Sequence, residues 1–172
     1  ELSLTQDVTI LSLASLAETR DNETGNHIRR TQSYVRILAH ALVDGGNYTD
    51  QLDDHTIELL VKSAPLHDIG KVGVPDSVLQ KPGKLTAEEF EIIKLHCSHG
   101  RTALESAEEM LGTTSFLHHA KDIASYHHEK WDGSGYPEGL EGENIPLSAR
   151  LMALADVYDA LTTRRSYKKS LK

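Results

Sequence analysis

The chain has 172 residues, a formal net charge of −8 and 26% charged residues, the size and balance of one soluble domain with room for a core rather than of a disordered chain. The acidic balance argues against a binder of nucleic-acid polymers, whose footprint is basic, and no apolar run approaches the ~18–20 residues of a membrane span. The single cysteine, Cys97, rules out an internal disulfide and fits a reducing, cytoplasmic setting, while ten histidines raise the expectation of metal chemistry.

Taken in order, residues 2–20 alternate apolar and polar positions at helical spacing, with Leu4, Val8, Leu11, Ala14 and Leu16 marking one amphipathic helix. Arg20 to Asn26 is a polar break, and a second helix carries His27, Tyr34, Leu38 and Leu42 to a stop at Asp44-Gly45-Gly46-Asn47. Thr56 to His67 reads as a third helix, with Pro65 kinking it or delaying its start. Residues 70–84, rich in Gly and Pro, read as a loop.

Thr86-Ala87-Glu88-Glu89 has the spacing of a capping box and opens a fourth helix past His96. A fifth helix is expected over about Gly100–Met110 and a sixth from Thr114 to about His127. Residues 131–146 read as a long loop, and a last helix over about Leu147–Leu161 carries Asp156. No stretch shows period-two alternation, so the expected class is all-α: one helical bundle.

The potential metal donors are spread along this chain. His27 opens one helix, His67 and Asp68 end another, His96 lies within a third, His127 and His128 end a fourth, and Asp156 lies in the last. Donors dispersed in this way and gathered in a bundle core are how all-α metalloproteins build sites. Glu23, four residues before His27, shares its face if the helix reaches back that far.

The set is too rich for one tetrahedral ion, and mixed His/carboxylate ligation without thiolate suits Fe, Mn or Zn. A carboxylate such as Asp68 can bridge two ions, and Lys71 follows three residues later. His40, His55, His99, His118 and His119 read as bystanders, although spacing alone does not separate His118-His119 from His127-His128. Cys97 reads as a packed thiol.

These residues fall into motifs that run nearly the whole length. They are Arg20-Asp21-x-x-Thr24-Gly25-x-His27, Leu66-His67-Asp68-Ile69-Gly70-Lys71-Val72-Gly73-Val74-Pro75-Asp76 and Lys81-Pro82-Gly83-x-Leu85-Thr86-x-Glu88-Glu89. Lys94-x-His96 and His127-His128-Glu129-x-x-Asp132-Gly133-x-Gly135-Tyr136-Pro137 follow, then Ala155-Asp156-Val157-Tyr158-Asp159-Ala160-Leu161-Thr162 with Arg165 and Tyr167-Lys168. In this order they resemble the HD-GYP domain, a branch of the HD phosphohydrolase superfamily.

The resemblance implies a bundle of the HD-domain type with a metal site in its core. It also implies a cyclic-di-GMP phosphodiesterase of bacterial second-messenger signalling. The expected reaction is hydrolysis by a hydroxide bridging the metals, giving 5′-pGpG and then GMP. By the family pattern His27, His67, Asp68, His96, His127, His128 and Asp156 are metal ligands, and Glu23 goes with a third ion. The implied cofactors are two or three divalent ions, Fe or Mn. Asp68 and Lys71 are the implied catalytic residues, and Lys71, Tyr136, Arg165 and Lys168 the implied substrate contacts.

Two other functions fit the same motifs: a hydrolase of cyclic GMP-AMP or a linear dinucleotide, and a non-catalytic module that binds nucleotide or a partner. The opening helix resembles the connector after the receiver domain of a response regulator. A diguanylate-cyclase partner at the Gly135-Tyr136-Pro137 loop and a homodimer are further partners the resemblance admits. Residues 1–172 are read as one HD-GYP domain from a longer protein, lacking its C-terminal end.

Overall fold

The computed structural model describes residues 2–20, 26–111 and 116–163. They form seven helices: α1 (Leu2–Glu18), α2 (His27–Asp44), α3 (Asp54–Ser63), α4 (Asp76–Leu79), α5 (Ala87–Leu111), α6 (Phe116–Tyr126) and α7 (Leu147–Thr162). No strand occurs among the described residues, and the one isolated bridge pairs Asp132 with Glu141.

Several helix ends follow from local chemistry. The Asp53 carboxylate accepts the Thr56 amide at 2.7 Å and starts α3. The capping box at α5 forms reciprocally: the Thr86 amide donates to Glu89 Oε2 at 2.7 Å, and the Glu89 amide donates to Thr86 Oγ1 at 3.2 Å.

The main core lies between α2, α3, α6 and α7, where Val35, Ala39, Ile57, Leu60, Ile123 and Met152 are buried. Each large side chain among them contributes about 1.5–3 kcal/mol by leaving water. A second cluster joins α1, the 3-10 turn Ala64–Leu66, α5 and α6 through Ile10, Leu66, Leu104, Leu117 and Ala124.

Four sequence expectations are corrected. The third helix does not reach His67: it stops at Ser63, and Pro65 lies at the start of the 3-10 turn Ala64–Leu66, where a residue without an amide hydrogen leaves no bond of that turn unmade. The 70–84 segment is not plain loop, since a second 3-10 turn spans Ile69–Gly73 and α4 follows.

The expected fourth and fifth helices are one 25-residue helix, α5, running unbroken through Gly100. Gly100 is retained there for packing, since a Cβ on it would already lie 3.2 Å from the Ala124 Cβ. Lastly, α1 turns Leu4, Val8 and Leu16 outward, and Ile10, Ala14 and Ala17 are the buried positions. The smaller alanines let α1 lie close to the 3-10 turns, which overrides the leucine pattern.

Candidate metal centre

The donors converge where the start of α2, the two 3-10 turns, the middle of α5, the end of α6 and the middle of α7 meet. Two groups form among the described residues. Asp68, His96, His127 and His128 make one; His27, His67 and Asp156 make the other; within each group the donor atoms lie within 4.8 Å of one another. The five bystander histidines belong to neither group. His118 lies near the start of α6, a helix length from the pair at its end, and faces Glu108 and Asp122.

Asp68 faces both groups. Its Oδ2 lies 3.2 Å from His67 Nε2, and its Oδ1 lies 3.4 Å from His96 Nε2 and 3.7 Å from His127 Nε2. Across the His27, His67 and Asp156 group, His27 Nε2 stands 3.4 Å from His67 Nε2 and 3.6 Å from Asp156 Oδ1.

The histidines are oriented from behind. Nδ1 of His67, His96 and His127 lies at hydrogen-bond distance from the carbonyl oxygens of Ala64 (3.0 Å), Ile93 (2.7 Å) and Ile123 (2.9 Å). A carbonyl only accepts, so each Nδ1 carries its proton and Nε2 is left to face the cluster. His27 Nδ1 is held instead by Asp159 Oδ2 at 2.8 Å, and Arg30 donates to both oxygens of Asp159 at 2.6 and 2.9 Å.

The electrostatics suit cation binding. Burial alone would raise the Asp68 pKa, but Lys71 and His67 hold the carboxyl well below its usual range. The Lys71 ammonium lies 2.7 Å from Asp68 Oδ2. Burial pulls His67 down, yet Asp68 and Asp156 override it and raise its pKa to about 9. Burial lowers His96 to about 4, and burial with His127 lowers His128, so both are neutral, the ligating form.

Buried Asp68 Oδ1 and His127 Nε2 have no hydrogen-bond partner. Orphaned polar atoms are costly inside a protein. A cation between them would satisfy both, so the residues present fit a metal. Cys97, 3.5 Å from His96 Nε2, has its thiol pushed up to about 12 by burial and remains a packed thiol.

Beside this cluster, the Tyr136 ring stacks on His128 with centroids 4.7 Å apart, and the Tyr136 amide donates to the His128 carbonyl at 3.2 Å. Phe90 meets Tyr136 edge-on, and the Lys94 ammonium lies over both rings. A Cβ on Gly135 would fall 2.4 Å from the Lys130 nitrogen and 2.6 Å from the His128 oxygen, so only glycine lets the loop lie this close to the backbone that follows the histidines. Buried Glu129 fixes the far side by accepting the amides of Glu138, Gly139 and Leu140 at 2.7, 3.0 and 3.1 Å.

All the expected donors except Glu23 fall in these groups. Glu23, Arg165 and Lys168 lie outside the described residues. Three residues quoted in the motifs had no role assigned from sequence: Arg20, Glu129 and Asp159. Arg30 falls in no motif. The legible signal was a buried-type helix carrying a second carboxylate, Asp159, three residues after Asp156, so on the same face.

A family model described as HD domain matches residues 12–172. The chain belongs to the HD-domain family. Within it, this HD domain is 63% identical over 168 residues to a Vibrio cholerae protein named cyclic di-GMP phosphodiesterase, covering 98% of this chain and 34% of that protein. It is 42% identical to a V. cholerae 3′3′-cGAMP-specific phosphodiesterase 2, covering 98% of this chain and 30% of the relative. It is 40% identical to the Xanthomonas campestris cyclic di-GMP phosphodiesterase response regulator RpfG, covering 94% and 39%. The HD domain thus spans about a third of the length of the curated relatives it matches, and the motifs and the relatives' names agree with its HD-GYP branch.

Proposed function

We propose that this HD domain is the catalytic part of a metal-dependent phosphodiesterase that hydrolyses cyclic-di-GMP to 5′-pGpG and onward to GMP. The observation that carries the reading is Asp68, one ionised carboxylate facing two donor groups with Lys71 beside it. The relative named cyclic di-GMP phosphodiesterase, at 63% identity, supports the choice of substrate.

His27, His67 and Asp156 with Asp68 would hold one ion, and His96, His127 and His128 with Asp68 the other. Fe or Mn suits this thiolate-free set, and Glu23 is assigned to a third. Bound divalent ions supply an activated water and neutralise phosphate charge. The chain's own contribution is to place an ammonium, Lys71, next to the shared carboxylate, where it stabilises charge developing on the phosphate oxygens. Tyr136, Arg165 and Lys168 are assigned to hold the dinucleotide, giving an acidic protein a local cationic rim for a doubly anionic ligand.

The test is hydrolysis by protein loaded with Fe or Mn under anaerobic conditions. Cyclic-di-GMP is expected to yield 5′-pGpG. Faster turnover of cyclic GMP-AMP would favour the second reading, which rests on the 42% identical relative named cGAMP-specific. No turnover of any dinucleotide by fully loaded protein would leave a binding module. The full donor set argues against that module, since binding alone does not need it.

A receiver domain in the full-length protein is supported by the relative named a response regulator. A diguanylate-cyclase partner at the Gly135-Tyr136-Pro137 loop, a homodimer and a cytoplasmic setting for the free Cys97 thiol complete the proposal. No described helix is long and apolar enough to cross a membrane.

A further inference from the structure

Arg20, two residues beyond the end of α1, directs both terminal guanidinium nitrogens at the backbone of the turn that carries Lys71. Nη1 donates to the carbonyl oxygens of Lys71 at 3.3 Å and Val72 at 2.5 Å, and Nη2 donates to that of Val74 at 3.0 Å. Nε and Nη2 also hold Asp76 Oδ1 at 3.2 and 2.7 Å. Gln80 Nε2 returns a bond to the Arg20 carbonyl at 3.1 Å. The Lys71 carbonyl also accepts the Val74 amide at 3.0 Å, so Arg20 adds a second donor to a carbonyl that already closes the turn, and a cation at the end of a helical turn is favoured.

The same turn is fixed on its other side. A Cβ on Gly70 would sit 1.9 Å from the His96 carbonyl oxygen, so Gly70 lies flush against α5. Lys71 is therefore held between α5 and the Arg20 guanidinium, and its own Nζ lies on Asp68. α1 packs against both 3-10 turns as well as α2, and the Arg20 side chain adds hydrogen bonds from the end of this helix to the Lys71, Val72 and Val74 backbone.

We propose that Arg20 is a positioning residue that sets Lys71 for the reaction by bracing the 69–74 turn, which makes the seating of α1 a determinant of turnover. The proposal rests on the role given above to Lys71. Arg20 does not touch the reacting atoms; it acts through the carbonyls of Lys71, Val72 and Val74.

The experiment compares parent, Arg20→Ala, Arg20→Lys, Lys71→Ala and the Arg20→Ala/Lys71→Ala pair, all loaded with Mn and analysed for metal. Arg20→Ala is expected to lower kcat on the order of tenfold, the size of effect a small misplacement produces, with KM and metal content near parent. Arg20→Lys, which keeps the charge but not the forked donors, is expected to fall between and covers the case in which Arg20→Ala does not fold. In the Lys71→Ala background, removing Arg20 is expected to change kcat no further. In metal-free protein, amide exchange over 69–76 is expected to quicken in Arg20→Ala while α6 is unchanged.

Equal kcat losses from Arg20→Ala with and without Lys71 would overturn the proposal and leave the Lys71 assignment standing. So would parent kcat in Arg20→Ala beside a clear loss in Lys71→Ala. Parent kcat in Lys71→Ala would overturn the Lys71 assignment itself, and this inference with it.

Discussion

Asp159 lies behind the donors, yet it decides which nitrogen of His27 faces them. Burial would raise its pKa, but the Arg30 and His27 hydrogen bonds lower it, so it is an ionised acceptor that pins the proton on His27 Nδ1. Asp159→Ala should weaken metal binding at the His27 group by about 10–100-fold and spare the His96–His127–His128 group. Competition with a chromophoric chelator would show this as one weakened site beside an unchanged one. Two sites weakened alike would contradict it.

His67 gives a pH prediction with a defined sign. Its pKa of about 9 in the metal-free fold lies above the ordinary 6.5. The stabilisation from its proton is thus fully present below pH 6.5 and is lost as pH rises through 9. A metal must displace that proton, so affinity should rise with pH up to about 9. Calorimetry near pH 7 in buffers of different ionisation enthalpy should show about one proton released from this imidazole. No buffer dependence would contradict it.

Among the elements, what was legible in the sequence was what is local. The Thr86/Glu89 box and the Asp44-Gly45-Gly46-Asn47 stop are read from a few neighbours, and both appear where expected. What was not legible depends on distant partners. Gly100 reads as a helix boundary, yet it lies inside α5 because Gly70 and Ala124 pack there. The outward leucines of α1 mislead because the two 3-10 turns favour alanine on the close face. Dispersed histidines and carboxylates suggested a metal, but choosing His127-His128 over His118-His119 needed the family motifs. The fold shows why: only the former pair stands at the end of α6 nearest His96.

Two predictions concern how elements meet. Gly70→Ala forces a carbon into the His96 carbonyl. It should cost about 1–3 kcal/mol, a fall of roughly 2–12 °C in Tm, and a Tm equal to parent in thermal unfolding would refute the close packing. Glu129→Gln keeps the shape but loses the charge that gathers three loop amides. KM for the dinucleotide should rise with metal content unchanged. Loss of metal with KM unaltered would instead give Glu129 a role at the donors rather than in the loop.

For the molecule as a whole, a net charge of −8 surrounds a core in which five imidazoles and two carboxylates converge. A cation bound only by the folded state adds its binding free energy to stability, so chelation should lower Tm and Mn should restore it. The most direct measurement is the metal content and cyclic-di-GMP turnover of anaerobically Mn-loaded parent beside Asp68→Ala. If one carboxylate serves both donor groups, parent holds at least two ions per chain, and Asp68→Ala loses metal from both groups together with turnover. An Asp68→Ala protein with the metal content and rate of the parent would contradict the shared site.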